Sequence, residues 1–109
     1  MRIALIGGLE RHETEIARRA GALGHIVEPH RGRVGGRHAE ELEAIVSRSD
    51  LVVIVTTVNS HGAMYLAKKV AARHGRRAVI LRTGSPSSFS ALLAALEAGP
   101  AAMAAAAGA

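Results

Sequence analysis

His12 and His61 are the residues on which chemistry is most readily built in this chain. Each follows a strand-like apolar run: Arg2-Ile3-Ala4-Leu5-Ile6-Gly7-Gly8 precedes the first, and Leu51-Val52-Val53-Ile54-Val55-Thr56-Thr57 precedes the second. Imidazole is the commonest neutral metal ligand and also moves protons near neutrality. If both runs are parallel strands, both histidines lie just beyond carboxyl ends, on the rim where open α/β sheets bind ligands. The two side chains are then expected within the width of one coordination sphere. His30 and His38 flank a glycine-rich basic loop, Arg31-Gly32-Arg33-Val34-Gly35-Gly36-Arg37, and are placed to join them. His25 reads as the start of a strand. His74 sits near a helix end, where it suits the C-terminal dipole. No HExxH or other close-spaced metal motif is present.

The elements that must position these residues alternate between strand and helix patterns four times. Residues 2–7 form a nearly continuous apolar run, as in a strand covered on both faces. Residues 10–23 carry Ile16, Ala17, Ala20 and Leu23 at helical spacing, closed by Gly24. Residues 25–28 read as a short second strand ended by Pro29, and a helix over about 38–48 buries Leu42, Ile45 and Val46. Residues 51–56 give the strongest strand pattern. Ser60 is a good N-cap for a third helix, whose apolar positions are Ala63, Leu66, Ala67, Val70 and Ala71, with Gly75 at its end. Residues 78–81 form a fourth strand. A last helix starts around Ser87 or Ser88, with Phe89, Leu92, Leu93 and Leu96 on one face, and Gly99-Pro100 stops it.

This pattern predicts an α/β fold: a small, doubly wound, four-stranded parallel sheet of order 2-1-3-4, Rossmann-like or flavodoxin-like, with helices on both faces. Residues 1–99 are expected as one domain and 100–109 as an alanine-rich, frayed tail. Two open sheet edges point to a homodimer.

Under that topology four loops converge on one side of the sheet. They bring Gly7, Gly8, Glu10, Arg11 and His12; His30, Arg31 and Arg33; Thr56, Thr57, Asn59, Ser60 and His61; and Arg82, Thr83, Gly84, Ser85, Ser87 and Ser88. Helix N-termini, guanidinium groups and hydroxyls together suit an anionic ligand. Several familiar chemistries are excluded. The dinucleotide fingerprint GxGxxG is broken, because His12 stands where it needs glycine. Asp50 precedes the third strand, so it is no phosphoacceptor at the rim, and the first strand ends in glycines where a receiver domain has acids. There is no Walker lysine and no cysteine nucleophile. Ser60 and His61 are adjacent at a helix start and point apart, with no positioned acid, so a binding protein is favoured over an enzyme.

Composition narrows the setting. The chain of 109 residues has 14 Lys and Arg against nine Asp and Glu, a formal charge of +5, which favours acidic partners. Only Tyr65 and Phe89 are aromatic, so base stacking would be weak and nucleic-acid binding would rest on phosphates and be strongly salt-dependent. No apolar run approaches the roughly 18 residues that span a bilayer. The opening Met1–Gly8 is too short for a signal peptide. Without cysteine there is no disulfide scaffold, and a cytoplasmic location is expected.

Taken together, the opening Ile3-Ala4-Leu5-Ile6-Gly7-Gly8, the Gly32-Arg33 loop and the Asp50-Leu51-Val52-Val53 strand resemble the bacterial domain of unknown function 2325 (DUF2325). The likeness is most specific at Val58-Asn59-Ser60-His61-Gly62-Ala63-Met64, followed by Lys68-Lys69. It extends through Ala78-Val79-Ile80-Leu81-Arg82 and the serines Ser85, Ser87 and Ser88, over most of residues 2–97. The resemblance implies a small α/β homodimer, and some members look like haem-binding regulators. Relatives often carry one cysteine before the Ser-His pair and another in the next helix. Here those regions hold Thr57 or Val58 and Val70 or Ala71, so a thiol-dependent role does not carry over.

Haem b is therefore the expected cofactor, with His61 and His12 as iron ligands and no membrane association. Arg33, Ser60, Arg82 and Ser85 are expected around it, the arginines facing the propionates. Met64, Tyr65 and Leu66 are candidates for apolar wall, and a dimer interface would add more. The expected role is a haem sensor, carrier or regulator. A second reading is a regulatory domain for a phosphorylated metabolite or nucleotide, in which the arginines and serines lead. A third is a basic nucleic-acid or protein-interaction module.

Overall fold

The computed structural model describes residues 1–99, and the alanine-rich segment 100–109 lies outside the described residues. The elements run β1 (Arg2–Ile6), α1 (Glu10–Ala22), β2 (Ile26–His30), α2 (His38–Ser47), β3 (Leu51–Val55), α3 (His61–Arg73), β4 (Arg77–Leu81) and α4 (Pro86–Ala98). The four strands form one parallel sheet in the order β2-β1-β3-β4, as the alternating pattern predicts.

Side-chain alternation along the strands divides the core into two layers. Ile3, Leu5, Leu51, Val53, Val55, Val79 and Leu81 pack with Ile16 and Ala20 of α1 and with Phe89, Leu92, Leu93 and Ala95 of α4. Ala4, Ile6, Val52 and Ile54 face the other way, onto Leu42 and Val46 of α2 and Ala63, Ala67, Val70 and Ala71 of α3. α1 and α4 therefore share one face of the sheet, and α2 and α3 the other. β3 is buried at every position, which is why its sequence is continuously aliphatic with no polar alternation. Each fully buried Leu, Ile or Phe contributes about 1.5–3 kcal/mol, and Phe89 supplies the only aromatic volume among these buried residues.

β2 differs from the sequence expectation. It begins one residue later, leaving His25 in the turn, and it runs through Pro29 to His30, with Pro29 opposite Leu5. Proline is compatible with a strand at a sheet edge, where one side of the backbone has no ladder partner, and β2 is such an edge. α4 starts at Pro86 because Ser85 is its N-cap, with its hydroxyl accepting from the Ser88 amide, and proline suits a first helical position. At the amino end of the sheet Asp50 clamps β1 to β3. Its carboxylate accepts from the Arg2 amide at 2.8 Å, and its amide donates to the Arg2 carbonyl at 2.7 Å. Asp50 is thus structural and lies opposite the carboxyl rim.

Among the described residues no helix is long and apolar enough to cross a membrane.

Candidate functional site

After β1 the chain turns toward β2, and after β3 it turns the opposite way toward β4, so the crevice between β1 and β3 is the switch point of the sheet. Backbone bonds join all four loops around it. The Gly7 amide donates to the His30 carbonyl at 2.7 Å, and the Gly8 amide to the Val58 carbonyl at 3.0 Å. The Thr56 and Thr57 amides reach the Leu81 and Arg82 carbonyls, and the Thr57 hydroxyl also donates to Arg82. Gly84 closes the ring, lying so near Gly8 that a Cβ on it would sit 3.4 Å from the Gly8 Cα.

The centre of this rim is Asn59. Its amide nitrogen donates to the Ile6 and Val55 carbonyls, at the ends of β1 and β3, while its oxygen accepts from the Ser60 amide. Two carbonyl acceptors on one side and an N–H donor on the other fix the amide orientation. Gly7 and Gly32 pack against it. An added Cβ would lie 2.5 Å from Asn59 Nδ2 at Gly7 and 2.1 Å from Asn59 Oδ1 at Gly32, and both positions have φ in the left-handed range. Only glycine meets both demands. Ser60 continues the latch: its hydroxyl donates to the Gly32 carbonyl at 2.6 Å and accepts from the Ala63 amide at 3.0 Å, capping α3. Val58, with φ of 50°, is the one non-glycine residue in the left-handed region among those described. For a β-branched side chain that is a strained conformation. Nothing in the sequence singles out Val58, whereas Asn59 stands four residues past the end of β3, where a turn brings its amide back to the Val55 carbonyl.

The latch leaves His61 as the first residue of α3, exposed and with no hydrogen bond to its ring among the described residues. Three of the exposed large apolar residues belong to the segments next to it: Val34, Val58 and Tyr65, exposed by 37%, 55% and 70%. Tyr65 is one turn along the same helix face. Val34 packs against Gly62, its Cγ2 lying 3.1 Å from where a Cβ would be. Met64 and Leu66, expected as wall residues, instead pack against the core between α2 and α3.

His12 lies in the first turn of α1 and is half-buried. Since α1 and α3 cover opposite faces, the two histidines flank the switch point from either side, and the Gly8–Val58 bond ties their loops together. Arg33 and Arg82 are exposed with no ion pair or hydrogen bond to their side chains among the described residues. Ser85 is turned inward as the α4 cap and also donates to Ser88 Oγ. Arg31 is engaged with Glu10 at 2.7 Å and Glu13 at 3.6 Å, on α1.

A cavity of about 270 Å³ lies beside the end of β2, lined by Pro29, His30, Arg31, Arg33, His38, Glu41 and Ile45. His30 is 6% exposed. Its Nδ1 accepts from the Gly32 amide and its Nε2 donates to the His38 carbonyl at 2.9 Å, so its proton rests on Nε2. Further along β2 the Glu28 carboxyl is held below the usual carboxylate range, first by hydrogen bonds from Arg48, against an opposing effect of burial, with Arg2 adding charge.

Residues 2–96 match the family described as "Uncharacterized protein conserved in bacteria (DUF2325)". The match spans most of the sequence, so the chain belongs to that family. No curated protein and no solved structure matches it.

Proposed function

We propose that this member of the DUF2325 family binds haem b at the carboxyl rim, where His61 and His12 would hold its iron, and acts in the cytoplasm as a haem sensor, carrier or regulator without catalysing a reaction. The observation that carries the reading is the surface at His61: an exposed imidazole with no partner among the described residues, with exposed Val58 three residues before it, exposed Tyr65 one turn after it, and Val34 against the adjoining Gly62. Exposed apolar residues grouped around a polar one mark a place where a ligand or partner sits. Aliphatic and phenolic surface beside a good ligand atom fits a flat apolar macrocycle, and Arg33 and Arg82, without an ion pair among the described residues, are cations suited to its propionates. When bound, the iron supplies a coordination and redox centre. His61 and His12 would hold it, and the Asn59–Ser60 latch would fix the loop that carries His61.

A phosphate-binding rim fits less well. The Gly7 and Gly8 amides, which would cradle a phosphate after β1, already donate within the protein, as do the hydroxyls of Ser60 and Ser85. Glu10 and Glu13 also place negative charge in the first turn of α1, where an anion would have to approach. A second copy of the chain is proposed to pair at β4. That edge carries no proline and a single charge, Arg77, whereas the β2 edge is protected by Pro29 and the Glu28 ion pairs.

Titration of the purified protein with haem tests the reading. A sharp Soret band is expected, weakened in His61→Ala and shifted to a five-coordinate form in His12→Ala. Spectra unchanged in both variants would remove the ligand assignment. A thermal shift produced by nucleotides or sugar phosphates, with none from haem, would favour the metabolite reading in its place.

A further inference from the structure

We propose a second site, for a divalent transition metal of the zinc class, formed by His30, His38 and Glu41 beside the outer edge of β2. It lies at the β2 end of the rim and shares loop 31–37 with the surface around His61, but its three ligands are none of the residues that would hold haem iron, so it does not depend on the haem reading. One ligand atom from each of the three residues lies within 4.8 Å of the others, and all three line the same cavity.

His38 and Glu41 are three residues apart in the first turn of α2, on one helix face, with His38 Nδ1 3.6 Å from Glu41 Oε2. Zinc bonds nitrogen and oxygen at about 2.0–2.2 Å, which puts two ligands of a tetrahedron about 3.4 Å apart. The pair therefore stands at close to chelating separation. His30 is fixed by burial at the end of β2, while the His38 and Glu41 side chains are 46% and 58% exposed and free to close on an ion. Two imidazoles and one carboxylate favour a zinc-class ion over calcium or magnesium, which take oxygen. They leave a fourth position for water or an exogenous ligand. The charge of Arg31 is already offset by Glu10 and Glu13, so Arg33 is the one cation lining the cavity without an ion pair among the described residues.

The hydrogen bonds of His30 add a specific consequence. A metal on Nε2 displaces the bond to the His38 carbonyl, and the ring proton must then sit on Nδ1. There it meets the Gly32 amide, which can no longer donate to that atom. Metal binding thus switches the His30 tautomer and releases one tie on loop 31–37, while the Ser60 bond to Gly32 remains.

The test uses the full-length chain, stripped of metal and free of haem. Zn²⁺ is titrated calorimetrically, and Co²⁺ is followed by its tetrahedral visible absorption. His38→Ala and Glu41→Gln, both at exposed positions, are each expected to weaken zinc binding by at least about tenfold, or about 1.4 kcal/mol. His74→Ala should leave it unchanged. Long-range ¹H–¹⁵N spectra should show the His30 proton moving from Nε2 to Nδ1 on saturation. Equal affinity in both variants and the parent, or a His30 ring unchanged at saturating zinc, would overturn the site.

Discussion

Replacing Asn59 tests the architecture of the rim most directly. In Asn59→Ala the Ile6 and Val55 carbonyls lose their side-chain donor and the Ser60 amide loses its acceptor. At roughly 1 kcal/mol net for each of the three hydrogen bonds, with partial rescue by water on a half-buried side chain, the loss is about 2–3 kcal/mol. Against a typical total of about 5–15 kcal/mol that is a large fraction. With a urea slope of about 1–2 kcal/mol/M for a chain of this size, the midpoint falls by about 2 M with the slope unchanged. Asn59→Asp separates hydrogen bonding from volume. A carboxylate presents oxygen to two carbonyl oxygens, so it is expected to cost more than alanine despite its near-identical shape. Its deficit should shrink as pH falls, because a protonated carboxyl regains one proton to donate. Urea unfolding of the three proteins decides the matter. An alanine effect below about 0.5 kcal/mol, the range of ordinary surface substitutions, or an aspartate tolerated as well as alanine, would refute the latch.

Two further predictions concern the rim and the β2 edge. Val58 has a φ of 50° and is largely exposed, and a left-handed conformation costs a branched L-residue about 1–2 kcal/mol. Val58→Asn is therefore expected to raise the melting temperature by several degrees, at about 4–8 °C per kcal/mol, and a fall of that size would show that Val58 is not strained. The Glu28 carboxyl is depressed in the folded chain, chiefly by Arg48. Its contribution is present above the unfolded carboxylate pKa and is lost as pH drops through the folded value. Glu28→Gln should accordingly cost about 0.5–1 kcal/mol at neutral pH and low salt, since its arginine partners are about half exposed. The parent and variant should converge in acid, and a gap that persists there would mean the loss is packing and not charge.

The sheet was legible because each strand signal is an aliphatic run bounded by a turn residue, and order 2-1-3-4 is an arrangement in which right-handed crossovers put helices on both faces, as strands apolar on both sides require. The end of β2 was not, because Pro29 reads as a terminator unless its strand is known to be an edge, which is a tertiary fact. At the site, the convergence of four loops could be anticipated from strand ends alone. The division of labour within Val58-Asn59-Ser60-His61 could not. Ser60 reads equally as a cap or as a ligand contact, and only coordinates show its hydroxyl used on both sides by Gly32 and Ala63. The same limit applies to Met64 and Leu66, whose inward packing depends on where α2 lies.

The rim combines two requirements that pull against each other. The Gly7 and Gly8 amides and the Ser60 hydroxyl are engaged in joining the loops and the Ser85 hydroxyl in capping α4, which stabilises the fold and removes groups a phosphate would use. Among the described residues the outward groups around His61 include aliphatic and phenolic surface from Val34, Val58 and Tyr65 and the unpaired guanidiniums of Arg33 and Arg82, a set suited to an apolar ligand with acidic edges. Val58 is held there in a strained conformation with its carbonyl accepting from Gly8. Strain of this kind persists where the surroundings over-determine it, and it gathers at functional sites. If Val58 supplies wall to the ligand around His61, the asparagine that relaxes the backbone also removes apolar contact. Melting temperature and haem affinity should then move in opposite directions in that one variant, the stability–activity conflict expected where a site is built from strained backbone.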